Sequence, residues 1–158
     1  NAIKSASGRY RPEHGTHYKT ARRRLKEIKT KDYDAYIKHE APKNTIVVVC
    51  CLASWLPQAR RIEPVLEQLA GELHAAAGSG GPKFELCKFE MSESRMLRDR
   101  YNITTLPMFL MYYNGQLAYA SPTLNGYGTR KEDMVAQAAT TLQDAQRGAF
   151  LAEGFKFS

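Results

Sequence analysis

Residues 45–70, TIVVVCCLASWLPQARRIEPVLEQLA, join a short apolar stretch directly to an amphipathic one. Thr45 to Leu52 is an unbroken run of mostly β-branched and small apolar residues, which is typical of a strand covered on both faces. The apolar residues that follow recur at the spacing of one helix face; they are Ile62, Val65, Leu66, Leu69, Ala70 and Leu73. The pattern predicts a buried central strand followed by a long helix.

The join between strand and helix carries a short motif. Its residues are Ala53, Ser54, Trp55, Arg60, Ile62 and the run Pro64-Val65-Leu66. The motif resembles the thioredoxin signature, in which a strand leads into Ala-x-Trp-Cys-Gly-Pro-Cys-Lys and a proline-kinked helix. This resemblance implies an α/β thioredoxin fold, a central mixed β-sheet flanked by helices. We place that domain at residues 22–146, between an N-terminal arm (residues 1–21) and an aromatic C-terminal extension (residues 147–158).

The resemblance places no sulfur at the positions where thioredoxins carry their two catalytic cysteines. Leu56 stands at the position of the attacking cysteine and Ala59 at that of the resolving cysteine. Cys50 matches the buried aspartate that assists proton transfer in the family. Thiol exchange needs a thiolate that attacks a disulfide sulfur, which neither leucine nor alanine supplies. We therefore expect a redox-inactive domain that is not an enzyme and has no catalytic residue, cofactor or metal.

The cysteines of the chain are Cys50, Cys51 and Cys87, and none has CxxC spacing. Successive strand residues point to opposite faces of a sheet, so Cys50 and Cys51 should not pair. Free buried thiols suit a reducing compartment, which favours the cytoplasm. An atypical thiol redox protein that uses one of these cysteines is an alternative, but it requires an exposed thiol near positive charge or a helix N-terminus.

Further segments complete the predicted fold. Residues 101–107, YNITTLP, resemble the thioredoxin segment Tyr-Gly-Ile-x-x-Ile-Pro, whose proline is cis, so Pro107 is the expected cis-proline. Asn114-Gly115 between two apolar runs indicates a β-hairpin. The other predicted elements are an edge strand at 22–29, a helix at 31–40 capped by Thr30, a strand at 83–91, a short helix at 92–101 with Met96 and Leu97 inward, and a last helix opened by a capping box from Thr129 to Glu132.

Positive charge is concentrated at the start of the chain. Residues 1–31 carry ten lysines and arginines and only two carboxylates, whereas the whole chain has a net charge of +7. Residues 1–21 also lack apolar periodicity, so we expect an extended basic arm. Arg22, Arg23 and Arg24 lie next to it and should favour an acidic partner surface.

Two candidate binding surfaces follow. In thioredoxin-like proteins the tryptophan turn and the cis-proline loop hold extended peptide, which implies a surface made of Trp55, Leu56, Pro57, Thr105, Leu106 and Pro107. Alternatively, Trp55 packs under its own loop and the domain is a passive spacer. The second surface is the C-terminal extension, where Phe150, Phe155 and Phe157 either pack back on the domain or contact a neighbour.

The function predicted from these features is that of a non-catalytic structural or protein-interaction subunit of a larger assembly. Redox-inactive thioredoxin-like subunits occur in ciliary axonemes and their dynein motors, and the acidic tails of tubulin would suit the basic arm. An alternative is a nucleic-acid or ribonucleoprotein component docked by that arm, since phosphate also attracts positive charge. No apolar run approaches the ~20 residues of a membrane span, so no membrane partner is expected.

Overall fold

A five-stranded mixed sheet organises the computed structural model, which describes residues 25–77, 84–124 and 130–158. The strands are β1 (Lys26–Glu27), β2 (Ile46–Leu52), β3 (Phe84–Glu90), β4 (Met108–Tyr113) and β5 (Gln116–Ser121). Their spatial order is β1-β3-β2-β4-β5. β3 is parallel to both β1 and β2, whereas β4 is antiparallel to β2 and β5. This is the mixed sheet expected of a thioredoxin fold.

The helices connect these strands. They are α1 (Thr30–Ala35), continued by a π-helical turn (Tyr36–Glu40), α2 (Pro57–Ala77), α3 (Met96–Tyr101) and α4 (Lys131–Gln146). A 3-10 turn, Met91–Glu93, precedes α3. None of the helices in the described part of the chain is both long and apolar enough to cross a membrane.

The central strand β2 separates two hydrophobic cores. All seven of its residues are buried, and alternate residues contact opposite cores, as the pleat of a strand requires. The α2–α4 core contains Val48 and Cys50 with Leu66 of α2 and Met134 of α4. The opposite core is built from α1, α3 and the other face of β2, and Cys51 belongs to it. The prediction of a strand covered on both faces is confirmed.

The predicted inner face of the long helix is also confirmed. Ile62, Leu66, Leu69 and Ala70 are buried against the sheet, while Val65 and Leu73 are partly buried at the border of the same core. Pro64 lies inside the helix, where it supplies no backbone N–H to the helical ladder.

Two local features of the turns agree with the sequence. The Leu106–Pro107 peptide bond is cis, and Asn114 and Gly115 both have positive φ at the tip of the β4–β5 hairpin. Such φ values match the type of turn that joins twisted antiparallel strands.

Some element ends differ from the sequence-based prediction. β1 comprises only Lys26–Glu27 in the described part of the chain, and the predicted start of this strand at residues 22–24 lies outside it. Thr30 is not a cap: it is the first residue of α1, and Lys29 precedes it without a side-chain capping bond. The expected 31–40 helix widens into a π-helical turn, closed by the Ala41 N–H bond to the Tyr36 carbonyl at 2.8 Å.

The starts of α3 and α4 also differ. The segment predicted as one helix at 92–101 splits into the 3-10 turn and α3, with Leu97 buried and Met96 only partly so. At α4 the carboxylate that accepts the Arg130 backbone N–H, at 3.2 Å, belongs to Asp133 instead of Glu132. Thr129, the other half of the predicted capping box, lies outside the described residues, as do residues 1–21 and Arg22, Arg23 and Arg24.

Candidate protein-interaction surface

The turn from β2 into α2 presents an exposed tryptophan. The Leu56 N–H donates to the Ala53 carbonyl at 2.9 Å, and the Ala59 N–H donates to the Leu56 carbonyl at 3.0 Å, so the turn winds tightly into the first turn of α2. Trp55 lies in this turn and is 68% exposed, and no other large hydrophobic residue in the described part of the chain is exposed. The alternative that Trp55 packs under its own loop is therefore wrong.

Glu90, the last residue of β3, anchors this turn. Its carboxylate accepts the Ser54 backbone N–H at 3.1 and 3.2 Å and also binds the amide and hydroxyl of Ser92. Partial burial alone would raise the pKa of Glu90, but the hydrogen bonds from Ser92 and Ser54 outweigh it, so the pKa is lowered. The carboxylate is thus held ionised, and it ties the tryptophan turn at Ser54 to the end of β3.

The residues that the resemblance places at the positions of the catalytic cysteines have no reactive group. Leu56 is half-buried at the start of α2, and Ala59 is 1% exposed, inside the α2–α4 core. A helix N-terminus lowers the pKa of a thiol placed there, but here that position is occupied by hydrocarbon.

The three cysteines are free and buried within strands, as predicted. Burial raises the pKa of the Cys50 and Cys51 thiols well above the usual range, and Cys51 lies on the opposite side of β2 from Cys50. Burial, with a smaller contribution from Glu85, raises the pKa of Cys87 to about 12. All three are therefore protonated thiols near neutral pH, which are poor nucleophiles.

The cis-proline loop lies at the same end of the sheet as the tryptophan turn. Cys51 pairs with Met108 in the antiparallel register of β2 and β4, so the chain that leaves β2 adjoins the chain that enters β4. Thr105 is exposed, and Leu106 and Pro107 are half-buried. The six residues predicted for this surface are thus brought to the same end of the sheet. We call them the apolar rim.

The aromatic C-terminal extension lies elsewhere, against the core built on α1 and α3. Phe155 and Phe157 pack edge to face with ring centroids 5.0 Å apart, and both contact that core. The Phe157 N–H donates to the Tyr101 carbonyl at 2.8 Å, and the Asn102 side-chain amide donates to the Phe157 carbonyl at 2.9 Å. Phe150 is half-buried. Of the two predicted placements, the extension adopts the one in which it packs on its own domain.

Beneath the extension lies a feature that the sequence analysis missed, a chain of three tyrosine hydroxyls. The Tyr112 hydroxyl is 2.8 Å from that of Tyr33 and 3.0 Å from that of Tyr101. They line a cleft of about 310 Å³, bordered by the bidentate Arg100–Asp34 ion pair at 2.7 and 2.9 Å. The sequence gives no signal for this cluster, because Tyr33, Tyr101 and Tyr112 lie in separate segments that share no local pattern.

The comparisons with known proteins agree with this geometry. A thioredoxin of Plasmodium falciparum is 20% identical, with a TM-score of 0.55 over 73% of this chain and 98% of its own. The Malassezia sympodialis thioredoxin Mala s 13 is 18% identical, with a TM-score of 0.55 over 75% of this chain and 90% of its own. At such identities these two likenesses establish the fold alone. The thioredoxin family profile matches residues 24–140, well over half of the sequence, and on that match the chain belongs to the thioredoxin family.

Proposed function

We propose that this domain is a non-catalytic, protein-binding member of its family that serves as a structural subunit of a larger assembly. The observation that carries the proposal is the turn between β2 and α2, where Leu56 and Ala59 stand at the family's cysteine positions beside a Trp55 that is 68% exposed. Tryptophan is among the residues most enriched in the hot spots of protein interfaces. The turn thus keeps the contact surface of the family and lacks its reactive atoms.

Burial of the remaining thiols supports the non-catalytic part of the proposal. Cys50, Cys51 and Cys87 lie in the sheet with raised pKa values, so a disulfide substrate would have to open the fold to reach them. We expect no reduction of insulin disulfides above a buffer blank, with a conventional thioredoxin as the positive control. Turnover that disappears in a Cys50→Ala variant would overturn this part and favour the thiol redox alternative.

A restored dithiol provides a second test of the same point. The double variant Leu56→Cys with Ala59→Cys should form a disulfide without unfolding, because the turn keeps its helical geometry. Thiol titration before and after reduction measures it, with the matched Leu56→Ser, Ala59→Ser variant as the control. Activity should stay low, since Cys50 stands where the family has its buried aspartate.

The apolar rim is the proposed partner-binding surface. Trp55→Ala and Leu56→Asp should each reduce recovery of the native partner when the full chain is affinity-purified from its own cells. Lys43→Ala is the matched control, because Lys43 is exposed and lies in the turn before β2, at the opposite end of that strand. Unchanged recovery with both rim variants would refute this part of the proposal.

For the setting, we propose the cytoplasm and specifically the ciliary axoneme or its dynein motors, with the basic arm on an acidic surface such as tubulin. The arm's excess of lysine and arginine supports this setting.

Co-sedimentation with polymerised tubulin tests it. The bound fraction should fall when the acidic tubulin tails are removed by protease, and when Arg22, Arg23 and Arg24 are changed to Glu. Deletion of residues 1–21 should weaken it too, with little change in Tm because that arm has no apolar face. Binding that does not depend on the tubulin tails would refute this setting.

The positive charge of the arm also supports a second candidate function, that of a nucleic-acid or ribonucleoprotein component docked by the arm. Binding to RNA would decrease steeply with salt, because each neutralised phosphate releases a counterion. Tight, salt-sensitive RNA binding without tubulin binding would favour this candidate.

A further inference from the structure

Arginines flank the apolar rim on two sides. Arg60 and Arg61 are exposed in the first turns of α2, just after Pro57. Arg95 and Arg98 border a shallow depression of about 440 Å³ that extends to Thr104, the residue before the cis-proline segment of the rim. The Glu90–Ser54 hydrogen bonds hold the end of β3, which leads into this region, against the tryptophan turn. The arginines and the apolar rim therefore share one end of the sheet.

The acidic side chains near this end are already engaged. They are Glu63 with Lys88 at 2.8 Å, Glu93 with Lys29 at 3.2 Å, Asp99 with Arg95 at 3.7 Å, and Glu90 with the backbone amides. In contrast, Arg60, Arg61 and Arg98 form no ion pair within residues 25–77, 84–124 and 130–158. The border of the apolar rim thus offers guanidinium donors that have no carboxylate partner among the described residues.

We propose that the apolar rim binds an extended, acidic peptide segment of a partner protein, with an apolar side chain on Trp55 and Leu56 and flanking Asp or Glu residues on the arginines. A guanidinium group holds a carboxylate with two parallel hydrogen bonds, and positive charge at the border repels basic segments. The inference rests on the proposed function of the same surface. It adds the charge of the partner, which the rim residues alone do not specify.

Selection from a random peptide library tests separately whether the apolar rim binds peptides and whether it prefers acidic ones. The probe is a phage-displayed library of 12-residue peptides panned on the full chain, with Trp55→Ala protein as the subtraction. Recovered peptides should combine an apolar residue with an excess of Asp and Glu. Each peptide is then synthesised with its acidic residues and, for comparison, with Gln or Asn in their place.

The variants give the expected magnitudes. Arg98→Glu or Arg60→Glu should weaken binding of the acidic peptides about fivefold at about 0.05 M salt, which is the size expected for an exposed charge pair. At about 0.5 M salt the loss of affinity should be smaller, because the charges are screened. Lys43→Glu, a matched charge reversal at the other end of β2, should leave the affinity unchanged, as should either arginine variant with the Gln and Asn peptides.

The possible outcomes separate the inference from the function on which it rests. Peptides that require Trp55 but show no acidic excess, or that bind Arg98→Glu and Arg60→Glu as tightly as the native chain, would overturn the acidic specificity and leave the binding surface intact. A selection that recovers no peptide dependent on Trp55 would overturn both. Equal weakening by Lys43→Glu would also overturn the inference, because it would show a general effect of net charge.

Discussion

The turn at Trp55 and the C-terminal extension both carry large aromatic side chains, and they differ in what surrounds those side chains. Trp55 is 68% exposed, on a turn whose Ser54 N–H donates to the Glu90 carboxylate. Phe155 and Phe157 lie half-buried on the core of α1 and α3, and backbone hydrogen bonds to Leu117 and Tyr101 fix the extension that carries them. One aromatic group is therefore available to a partner, while the other already stabilises its own domain.

Removal of residues 150–158 should have the largest effect on stability. It uncovers part of the core and removes two half-buried phenylalanine side chains, so the free energy of unfolding should fall by about 3 kcal/mol. Urea denaturation of the full and shortened chains measures this, with removal of Ser158 alone as the control. If the shortened chain were equally stable, the extension would not stabilise the domain and would be as available to partners as Trp55 is.

Tyr112→Phe should have the next largest effect. Its hydroxyl is the middle of the three-tyrosine chain, and without it the buried hydroxyls of Tyr33 and Tyr101 lose their partner. A buried polar group left without a hydrogen bond costs about 1–2 kcal/mol of stability. Tyr113→Phe is the matched control, because its half-buried hydroxyl makes only a 3.5 Å contact with Asn44. Equal losses of stability from the two variants would show that the hydrogen bonds among the three tyrosine hydroxyls do not stabilise the fold.

Asp34→Asn should have a smaller, pH-dependent effect on the same side of the molecule. The hydrogen bond from Arg100 lowers the pKa of Asp34, so its stabilising contribution is present above the unfolded pKa of about 3.9 and is lost as pH falls through the folded pKa. The carboxylate is half exposed, and solvent screening keeps the contribution below about 1 kcal/mol. Urea denaturation of both proteins should show the full difference at neutral pH and a smaller one at about pH 3, because the contribution declines below the unfolded pKa and is lost as the pH falls through the lowered folded pKa.

Arg100→Gln supplies the control for that experiment. In this background Asp34→Asn should no longer change the pH dependence, because the partner that lowers the pKa is absent. A pH-dependent difference that persists there would assign the effect to another group.

Trp55→Ala should have the smallest effect on stability, within about 0.5 kcal/mol, because an exposed side chain has little apolar contact to lose. Urea denaturation measures the stability, and the peptide selected above measures binding, which should be lost. A stability loss comparable to that of the shortened chain would mean that Trp55 packs on the domain in solution. The two regions would then no longer differ.

Much of the fold could be predicted because its signals are local. The apolar run of β2, the helical spacing from Ile62 to Leu73, the turn at Asn114-Gly115 and the motif that ends in Pro107 each lie within a short segment. The candidate surface was likewise predicted from the residues around Trp55 and Pro107. The exact element ends were less predictable, since Asp133 in place of Glu132 caps α4, and α1 continues as a π-helical turn over Tyr36–Glu40. The position of a helix end can depend on one hydrogen bond, which either of two adjacent residues could supply.

The central strand, the long helix and the burial of the three thiols could be inferred from the sequence, because apolar runs and helical spacing are properties of neighbouring residues. The same holds for the absence of sulfur at the positions that the resemblance assigns to the catalytic cysteines, because it depends on residue type alone. The folded structure was needed to show that Trp55 faces solvent while Phe155 and Phe157 pack on the domain. It was also needed to show that the hydroxyls of Tyr33, Tyr101 and Tyr112 are hydrogen-bonded to one another. These outcomes depend on contacts between segments far apart in sequence, and the free energy of burial is assigned only when the fold brings those segments together.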